Sequence, residues 1–275
     1  MRVAGKTAIV TGGGGGIGAA IAAELAAHGA RVVLADLNEP AARDAAETIN
    51  AAQPGSAVGA GADVSQTAAI AGLITLAQKS FGPVDLYFAN AGVMGAAGLA
   101  TEEDWDRVLA VNLRAHIRAA QLLVPDWVAR REGYFISTAS AAGLLTQIGG
   151  AGYAVTKHAA VGFAEWLAVT YGDQGVRVSC LCPMGVETKL LHPDQPASDP
   201  LGAAALRAVT AAGAVLPPDR VARDVLAAID EERFLILPHP EVLAMFAQKA
   251  SDYDRWLRGM RRFQAALLGE PHVDV

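Results

Sequence analysis

Five consecutive glycines near the N-terminus constrain the fold of this chain more than any other feature, because of the segments that flank them. Thr7–Val10 is a short apolar run rich in β-branched residues, and it predicts a strand before Gly12–Gly16. Ala19–Ala27 predicts a helix after the glycines, and Arg31–Ala35 predicts a second strand that leads to Asp36. This order is typical of a βαβ unit of about 30 residues, which favours a parallel sheet.

The glycine turn of such a unit is typical of a dinucleotide site, because a bare backbone can approach a pyrophosphate at the N-terminus of the following helix. Two registers fit: Gly13, Gly15 and Gly18 match G-x-G-x-x-G, whereas Gly12, Gly16 and Gly18 match T-G-x-x-x-G-x-G. A glycine run can also be a simple flexible loop, but the flanking strand and helix favour the nucleotide interpretation. The acidic residue that ends the second strand can accept hydrogen bonds from ribose hydroxyls.

A second feature concerns proton transfer. Tyr153 and Lys157 are four residues apart, and Ser140 precedes the tyrosine by thirteen residues. Residues at i and i+4 share one face of a helix, so we expect the phenol and the ammonium to be neighbours. A nearby cation favours the phenolate, so we expect Lys157 to lower the pKa of Tyr153 from about 10. An alanine-rich helix can carry this spacing by chance, and the spacing becomes informative beside the glycine turn.

Together these motifs resemble those of the short-chain dehydrogenase/reductase family, and the resemblance runs from about residue 6 to residue 225. It implies an α/β protein with a single Rossmann-type, doubly wound parallel sheet and helices on both faces. It also implies an enzyme that transfers a hydride between NAD and a secondary alcohol or ketone. The matching segments follow the family's order: Thr11–Gly18, Asp63-Val64, Asn90-Ala91-Gly92, Asn112, Ser140, Tyr153 and Lys157.

The resemblance assigns roles to individual residues. Tyr153 is the implied acid and base, Ser140 holds the substrate oxygen, and Lys157 binds the nicotinamide ribose. Asn112 is implied to anchor a water in the proton path through its backbone. Asp36 would meet a 2′-phosphate with like charge, so NAD is expected rather than NADP. The implied NAD-binding residues are Gly12, Gly16, Ile17, Gly18, Asp36, Leu37, Asp63, Val64, Asn90, Ala91, Gly92, Tyr153, Lys157, Pro183, Val186 and Thr188.

One segment departs from the family's pattern. The family has Pro-Gly-x-Val-x-Thr after its sixth strand, whereas this chain has Pro-Met-Gly-Val-Glu-Thr at residues 183–188. Met184 stands in the usual glycine place, and we expect it to enter the substrate pocket. A largely apolar pocket is expected, which would accept a bulky aryl or cyclic alcohol or ketone. Its expected lining is Val93, Met94, Ser140, Leu144, Gln147, Met184, Leu190 and Leu191.

Two other functions stay open at this level. A dinucleotide-binding sensor or scaffold without catalysis would be expected to have lost Ser140, Tyr153 or Lys157, and all three are present. A relative that acts on another group, such as an enoyl reductase or an epimerase, tends to have different spacing around its tyrosine. The substrate cannot be read from the fold, because one fold supports many reactions.

Length and composition predict one domain over residues 1–275, with a lid insertion at about 188–215 and a helical extension at about 240–275. The net charge is -6 and no basic block is present, which argues against a nucleic-acid partner. Neither a signal peptide nor an apolar run of about 18 residues is visible, so we expect a cytoplasmic protein without membrane contact. Resemblance and the apolar content of residues 109–124 and of the catalytic helix imply a homo-oligomer, expected to be a tetramer.

The cysteines and histidines are not predicted to form sites. Cys180 and Cys182 are two apart on a predicted strand, so they are expected on one buried face rather than in a disulfide or a metal site. No metal is expected. His28, His116 and His158 are predicted to be surface or packing residues.

The remaining pattern alternates strands and helices. A helix is predicted to start at Thr101 with a capping box, and Pro125 is predicted to kink or end it. His192–Pro200 is rich in Pro, Asp and Ser and predicts a mobile loop. Further strands are predicted at Val84–Phe88, Tyr134–Ser137, Val176–Leu181 and Phe234–Leu237, and further helices at Gly152–Tyr171 and Leu201–Val215.

Overall fold

Seven strands form one parallel sheet in the computed structural model, which describes residues 1–192 and 199–270. Their order is β3-β2-β1-β4-β5-β6-β7, with every neighbouring pair parallel. The predicted α/β class and doubly wound sheet are therefore confirmed. The strands are β1 Thr7–Thr11, β2 Arg31–Asp36, β3 Ala57–Gly61, β4 Leu86–Ala89, β5 Gly133–Thr138, β6 Val176–Leu181 and β7 Leu235–Ile236.

Helices cover both faces of the sheet, as buried parallel strands require. Side chains alternate along each strand, so Ile9 of β1 packs into one core and its neighbours Ala8 and Val10 into the other. The first core includes α3, α5 and α6, and the second includes α1, α2 and α8. The helices are α1 Gly16–Ala27, α2 Glu39–Ala52, α3 Thr67–Ser80, α4 Glu102–Leu109, α5 Ala115–Arg130, α6 Ala151–Tyr171, α7 Pro200–Ala212, α8 Pro218–Asp230, α9 Glu241–Ser251 and α10 Tyr253–Leu268.

The predicted elements exist, with small shifts at their ends. The sixth strand has the predicted bounds, whereas β7 is confined to Leu235–Ile236. Helix α1 begins at Gly16, three residues before the predicted start, because the last glycines of the turn already form its first turn. The predicted lid helix is present as α7.

The helix predicted to start at Thr101 shows one confirmation and one correction. The Thr101 hydroxyl accepts a hydrogen bond from the Asp104 N–H at 3.3 Å, so this residue is the N-cap. Pro125 does not end the helix, because α5 continues to Arg130. Val124 and Trp127 on either side of the proline are both buried in the core, and their packing holds the helix together.

Two segments outside the sheet cover one end of the molecule. The first is the predicted lid, of which α7 is described and residues 193–198 of the predicted mobile loop lie outside the described residues. The second is the C-terminal extension, in which α10 packs against both α7 and α9. Among the helices within the described residues, none is both long and apolar enough to cross a membrane.

Candidate active site

The glycine turn between β1 and α1 needs backbone that side chains would obstruct. Gly12 has a φ of +64°, in the left-handed region that favours glycine. A Cβ on Gly18 would lie 2.1 Å from the Gly12 carbonyl oxygen, so only glycine lets the turn close on the helix. Helix α1 has no side-chain cap and no acidic residue in its first turn. Its first N–H groups can therefore bind an anion such as a phosphate.

The Asp36 carboxylate at the end of β2 is fixed by two backbone groups. Its Oδ2 atom accepts from the Gly14 N–H at 3.0 Å, and its Oδ1 atom accepts from the Asn38 N–H at 2.9 Å. These bonds hold the carboxylate beside the glycine turn. An acidic group there can accept hydrogen bonds from ribose hydroxyls and repels a 2′-phosphate.

The ends of β1, β4 and β5 are joined by a small hydrogen-bond network. The Thr11 hydroxyl donates to the Phe88 carbonyl at 2.9 Å and accepts from the N–H groups of Asn90 and Ala91 at 2.9 and 3.1 Å. The Asn90 side chain donates to the Thr11 carbonyl at 2.9 Å and accepts from the Thr138 hydroxyl at 3.1 Å. The network holds the segment after β4 against the glycine turn.

Tyr153 and Lys157 lie near the start of α6, and both are buried. The Lys157 Nζ donates to the Thr138 carbonyl at 2.9 Å and is 5.5 Å from the centroid of the Tyr153 ring. The two side chains are therefore neighbours on one face of the helix. Thr138 belongs to β5, so the ammonium also connects the helix to the end of the sheet.

Burial dominates the pKa values of this pair. Burial raises the pKa of Tyr153, a hydrogen bond with Ser140 opposes that shift, and Cys182 reinforces it. Burial lowers the pKa of Lys157 to about 8. The expected net lowering of the pKa of Tyr153 does not appear, because burial is the largest cause of the shift. Tyr153 is therefore protonated at neutral pH and can donate a proton.

Ser140 lies between the helix of Tyr153 and the loop after β6. Its Oγ atom accepts from the Ala142 N–H at 3.1 Å and donates to the Pro183 carbonyl at 3.4 Å. The neighbouring Ala141 N–H donates to the same carbonyl at 2.8 Å. The hydroxyl is thus held where Tyr153 can also reach it, and the two can share one substrate oxygen.

Asn112 sits in a π-helical turn, Ala110–Arg114, between α4 and α5. Its side chain accepts from the Val93 N–H at 2.9 Å and donates to the Val93 carbonyl at 2.8 Å and to the Thr156 hydroxyl at 3.1 Å. Such turns widen a helix locally and are frequent at functional sites. The buried amide therefore ties this turn to α6 and to the segment after β4.

A cavity of about 840 Å³ opens at the carboxyl ends of the strands, where open parallel sheets bind ligands. Most of the residues predicted for the site line it. They are Gly12, Gly16, Ile17, Gly18, Asp36, Asn90, Ala91, Gly92, Met94, Ser140, Gln147, Tyr153, Lys157, Pro183, Met184, Val186, Thr188, Leu190 and Leu191.

Six predicted residues are not part of the cavity lining: Leu37, Asp63, Val64, Val93, Asn112 and Leu144. Leu37 is 79% exposed, and the Asp63 carboxylate accepts from the Ser65 N–H at 2.9 Å. Leu144 is buried in the core, and Leu145 lines the cavity instead. A short 3-10 turn after Ser140 redirects the chain, so the lining residue lies one position after the predicted one.

The outer wall of the cavity comes from α7, within the predicted lid, and from the C-terminal helices, which were not predicted to line the site. It contains Leu206 and Val209 of α7, Met245 and Gln248 of α9, and Trp256, Met260 and Phe263 of α10. Nothing in the sequence indicated which surface the C-terminal helices would meet. Of the five methionines in the chain, four line this cavity: Met94, Met184, Met245 and Met260.

The substrate side of the cavity is mostly apolar. Among the described residues that line it, Asp36 is the only acidic one, and Lys157 and Lys189 are the only basic ones. Asp36 lies at the nucleotide end, Lys157 beside Tyr153 and Lys189 next to Thr188, whereas the outer wall offers thioethers, aromatic rings and Gln248. The Gln147 amide donates to the Ile148 and Ala205 carbonyls at 3.1 and 3.3 Å, which links its loop to α7.

His239 supports the loop that carries Met184, a role that the sequence did not suggest. Its Nδ1 atom accepts from the Met184 N–H at 3.2 Å, and its Nε2 atom then donates to the Ala214 carbonyl at 3.0 Å. The Met184 side chain reaches Gly213, just after α7. The buried imidazole thus holds the loop after β6 and the end of α7 together.

His28, His116 and His158 and both cysteines lie outside the cavity lining. His116 is buried with its Nδ1 atom 3.0 Å from the Ser137 hydroxyl, whereas His28 and His158 are exposed and bond to carbonyls of their own helices. Cys180 and Cys182 are buried and free, with their sulfurs 3.8 Å apart. Within residues 1–192 and 199–270, no group of three or more His, Cys, Asp or Glu could hold a metal ion.

Comparison with known proteins points to one family. A family model described as short chain dehydrogenase matches residues 6–199. Cyclohexanol dehydrogenase from Acinetobacter sp. is 34% identical over 189 residues, which cover 68% of this chain and 75% of that protein. D-beta-hydroxybutyrate dehydrogenase from Cupriavidus necator is 36% identical over 191 residues, covering 68% of this chain and 73% of that protein.

Solved structures agree with this assignment. A short chain dehydrogenase/reductase from Burkholderia phymatum in complex with NAD superimposes with a TM-score of 0.82 at 31% sequence identity. The superposition covers 100% of this chain and 99% of that chain. The similarity therefore extends over the C-terminal helices as well as the sheet.

Proposed function

This chain belongs to the short-chain dehydrogenase family, and on that premise we propose that it is an NAD-dependent oxidoreductase that interconverts a secondary alcohol and a ketone. The observation that carries the proposal is the arrangement of Tyr153, Lys157 and Ser140 at one point of the cavity. A phenol and a hydroxyl that converge on one oxygen can bind a carbonyl and protonate it.

The proposed mechanism assigns one task to each of these side chains. A bound nicotinamide supplies the hydride for ketone reduction or accepts it in alcohol oxidation. Tyr153 gives its proton to the substrate oxygen in reduction and takes the hydroxyl proton in oxidation. Ser140 donates a hydrogen bond to the same oxygen, and Lys157 binds the nicotinamide ribose. Asn112 is proposed to anchor a water through its backbone, so that the proton can be exchanged with solvent.

The residues at the nucleotide end fit NAD. The first N–H groups of α1 lack a side-chain cap, which leaves them for the pyrophosphate. The Asp36 carboxylate is held beside the turn and favours ribose hydroxyls over a 2′-phosphate. The similar structure from Burkholderia phymatum contains NAD, which supports the same choice.

The outer wall supports a bulky apolar substrate, such as an aryl or cyclic alcohol or ketone. Thioether side chains are flexible and polarisable, so Met184, Met245 and Met260 can adapt to rings of different shape. Trp256 and Phe263 add flat apolar surface. The relatives do not decide this point, because one name refers to cyclohexanol and another, equally similar, to hydroxybutyrate. The chemistry of the wall therefore carries the choice.

A substrate panel tests the proposal. Aryl ketones, cyclic ketones, short aliphatic ketones and keto acids are compared by NADH absorbance. We expect kcat/KM for aryl or cyclic ketones to exceed that for keto acids by at least about tenfold, since the outer wall is apolar and Lys189 is the one basic lining residue besides Lys157. Met184→Gly should raise KM for the bulky ketones. A preference for keto acids, or an unchanged KM for the bulky ketones in Met184→Gly, would contradict the substrate assignment.

The same panel separates the proposal from its alternatives. A sensor or scaffold would bind NADH without turnover of any substrate, and an enoyl reductase or epimerase would consume only its own substrate class. A cytoplasmic location and a homo-oligomeric state remain predictions that solution and cell experiments must test.

A further inference from the structure

Lys249 in α9 is a buried lysine whose donors are all used. Its Nζ atom donates to the carbonyl oxygens of Leu144 and Leu145 at 2.8 and 2.6 Å. The Nε2 atom of His158 is 3.4 Å away and is free to accept, because the Nδ1 atom of that ring donates to the Ala154 carbonyl at 2.8 Å. Three N–H donors of one ammonium thus face three neutral acceptors.

Two aromatic rings of α10 complete the surroundings of this ammonium. The ring centroids of Tyr253 and Trp256 lie 5.4 and 5.1 Å from Nζ, at the distance of a cation–π contact. A buried ammonium is stable only while such partners stay in place. The contacts of Lys249 therefore hold the residues that make them in fixed positions relative to one another.

The partners of Lys249 belong to separate parts of the active site. The two carbonyl groups lie in the segment between Ser140 and Tyr153, and Leu145 and Gln147 of that segment line the cavity. His158 follows the active-site lysine on α6. Trp256 lines the cavity from the C-terminal side. Lys249 thus connects the segment with Leu144 and Leu145 to helix α10, and both line the cavity on different sides.

We infer that Lys249 is a positioning residue that sets the spacing between the loop at residues 144–148 and Trp256, and through it the binding of bulky substrates. Lys249 does not line the cavity, so it acts only through the groups it holds. The kinetic part of this inference rests on the proposed function. The structural part does not, because the contacts exist whatever the substrate is.

The test compares Lys249→Met with Arg258→Met. The first change keeps an unbranched apolar side chain of similar length and removes all three donors. The second removes one positive charge from the exposed face of α10 and serves as the matched control. Hydrogen exchange of residues 141–150 is measured on the full-length protein, together with KM and kcat for a bulky aryl ketone and a short aliphatic ketone, and the Kd of NADH.

For Lys249→Met we expect faster exchange in residues 141–150 and a KM for the bulky ketone raised by about tenfold. The KM for the short ketone and the Kd of NADH should change less than about twofold, because neither ligand spans both walls. Arg258→Met should leave all these values unchanged. Lys249→Arg should restore part of the KM, since a guanidinium can donate to both carbonyls and stack on the rings.

Unchanged exchange in Lys249→Met would overturn the inference. So would equal KM changes for both ketones, which would indicate only a loss of stability. If Lys249→Met does not fold, Tyr253→Leu, which removes a ring beside Lys249 and does not line the cavity, must show the same selective rise in KM. Should the unmodified protein turn over no ketone, the proposed function fails, while the exchange experiment still decides whether Lys249 holds the loop.

Discussion

The Asp36 carboxylate accepts a hydrogen bond from the backbone N–H of Gly14, 3.0 Å away, so the acidic group and the glycine turn are held as one unit. The turn binds the pyrophosphate in the proposed complex, and the carboxylate selects the ribose beside it. We therefore expect kcat/KM with NADP to be at least about tenfold lower than with NAD, from repulsion of the 2′-phosphate. Asp36→Asn should reduce the preference for NAD over NADP, and Asp44→Asn, exposed on α2 and outside the cavity lining, should not. Equal efficiency with both cofactors in the unmodified enzyme would refute the assignment.

Tyr153→Phe should lower kcat by at least about 100-fold, because it removes the acid and base oxygen but keeps the buried ring. NADH should still bind with a similar Kd, since the ring packing is unchanged. Tyr171→Phe, at the other end of the same helix, is the control and should retain full activity. Turnover and NADH titration on the same preparations check this, and a variant with more than a few per cent of activity would exclude the proposed proton path.

Because the pKa of Tyr153 is raised, reduction and oxidation should depend on pH in opposite ways. Ketone reduction uses the protonated phenol, which is the form present at neutral pH. Alcohol oxidation needs the phenolate, whose population increases with pH. We expect kcat/KM for oxidation to rise from pH 7 to pH 9, whereas kcat/KM for reduction should stay level or fall. Profiles measured in both directions check this, and an oxidation rate that is independent of pH would contradict it.

His116 should make the protein sensitive to acid. Burial, followed by the charge of Lys157, lowers the pKa of His116 to about 3, so between about pH 3 and 6.5 the unfolded chain binds a proton that the folded protein does not. The stability that the neutral, buried His116 contributes is thus lost progressively as the pH falls below 6.5. Between pH 7 and 4.5 the free energy of unfolding should fall by about 2 to 3 kcal/mol more in the unmodified protein than in His116→Gln. Urea unfolding at fixed protein concentration measures the difference, and parallel losses would show that His116 is not responsible.

The outward side of α5 and α6 should form a contact between copies of the chain. Leu122, Val155, Trp166 and Val169 expose 39%, 51%, 53% and 87% of their surface, which is unusual for large apolar residues grouped on neighbouring helices. We expect a homo-oligomer, most simply a tetramer, by light scattering at micromolar concentration. Val169→Lys should reduce the oligomer, and Leu37→Lys, at a residue that is 79% exposed after β2, should not. A monomeric unmodified protein would refute this.

Local sequence signals were sufficient for the sheet and for the inner part of the site. Strand, turn and helix alternate with clear boundaries, and the positions of Ser140, Tyr153 and Lys157 follow from spacing on a helix and from the end of a strand. Of the two outcomes predicted for Pro125, a kink or an end, the end is wrong, because the buried residues on either side of it outweigh the missing backbone hydrogen bond. The upward direction of the Tyr153 pKa could not be predicted, because burial cannot be read from a four-residue spacing.

The outer part of the site depends on contacts between residues far apart in the chain. Met245, Trp256 and Met260 lie about 100 residues beyond Tyr153, and only the packing of α10 on α7 brings them to the cavity. Leu145 lines the cavity in place of the predicted Leu144, because a single 3-10 turn before them sets which side chain faces it. His239 gave no sequence signal, since a lone histidine after a short strand is usually a packing residue.

The division of the cavity between the sheet edge and the last two helices has a consequence for how such an enzyme can diversify. The groups proposed to move the proton and hold the nucleotide all precede residue 189, whereas much of the outer wall follows residue 240. Chain termini tolerate insertion, replacement and loss better than strands inside a sheet. A new ligand preference could therefore arise by exchanging the terminal helices alone, with the reaction chemistry inherited intact.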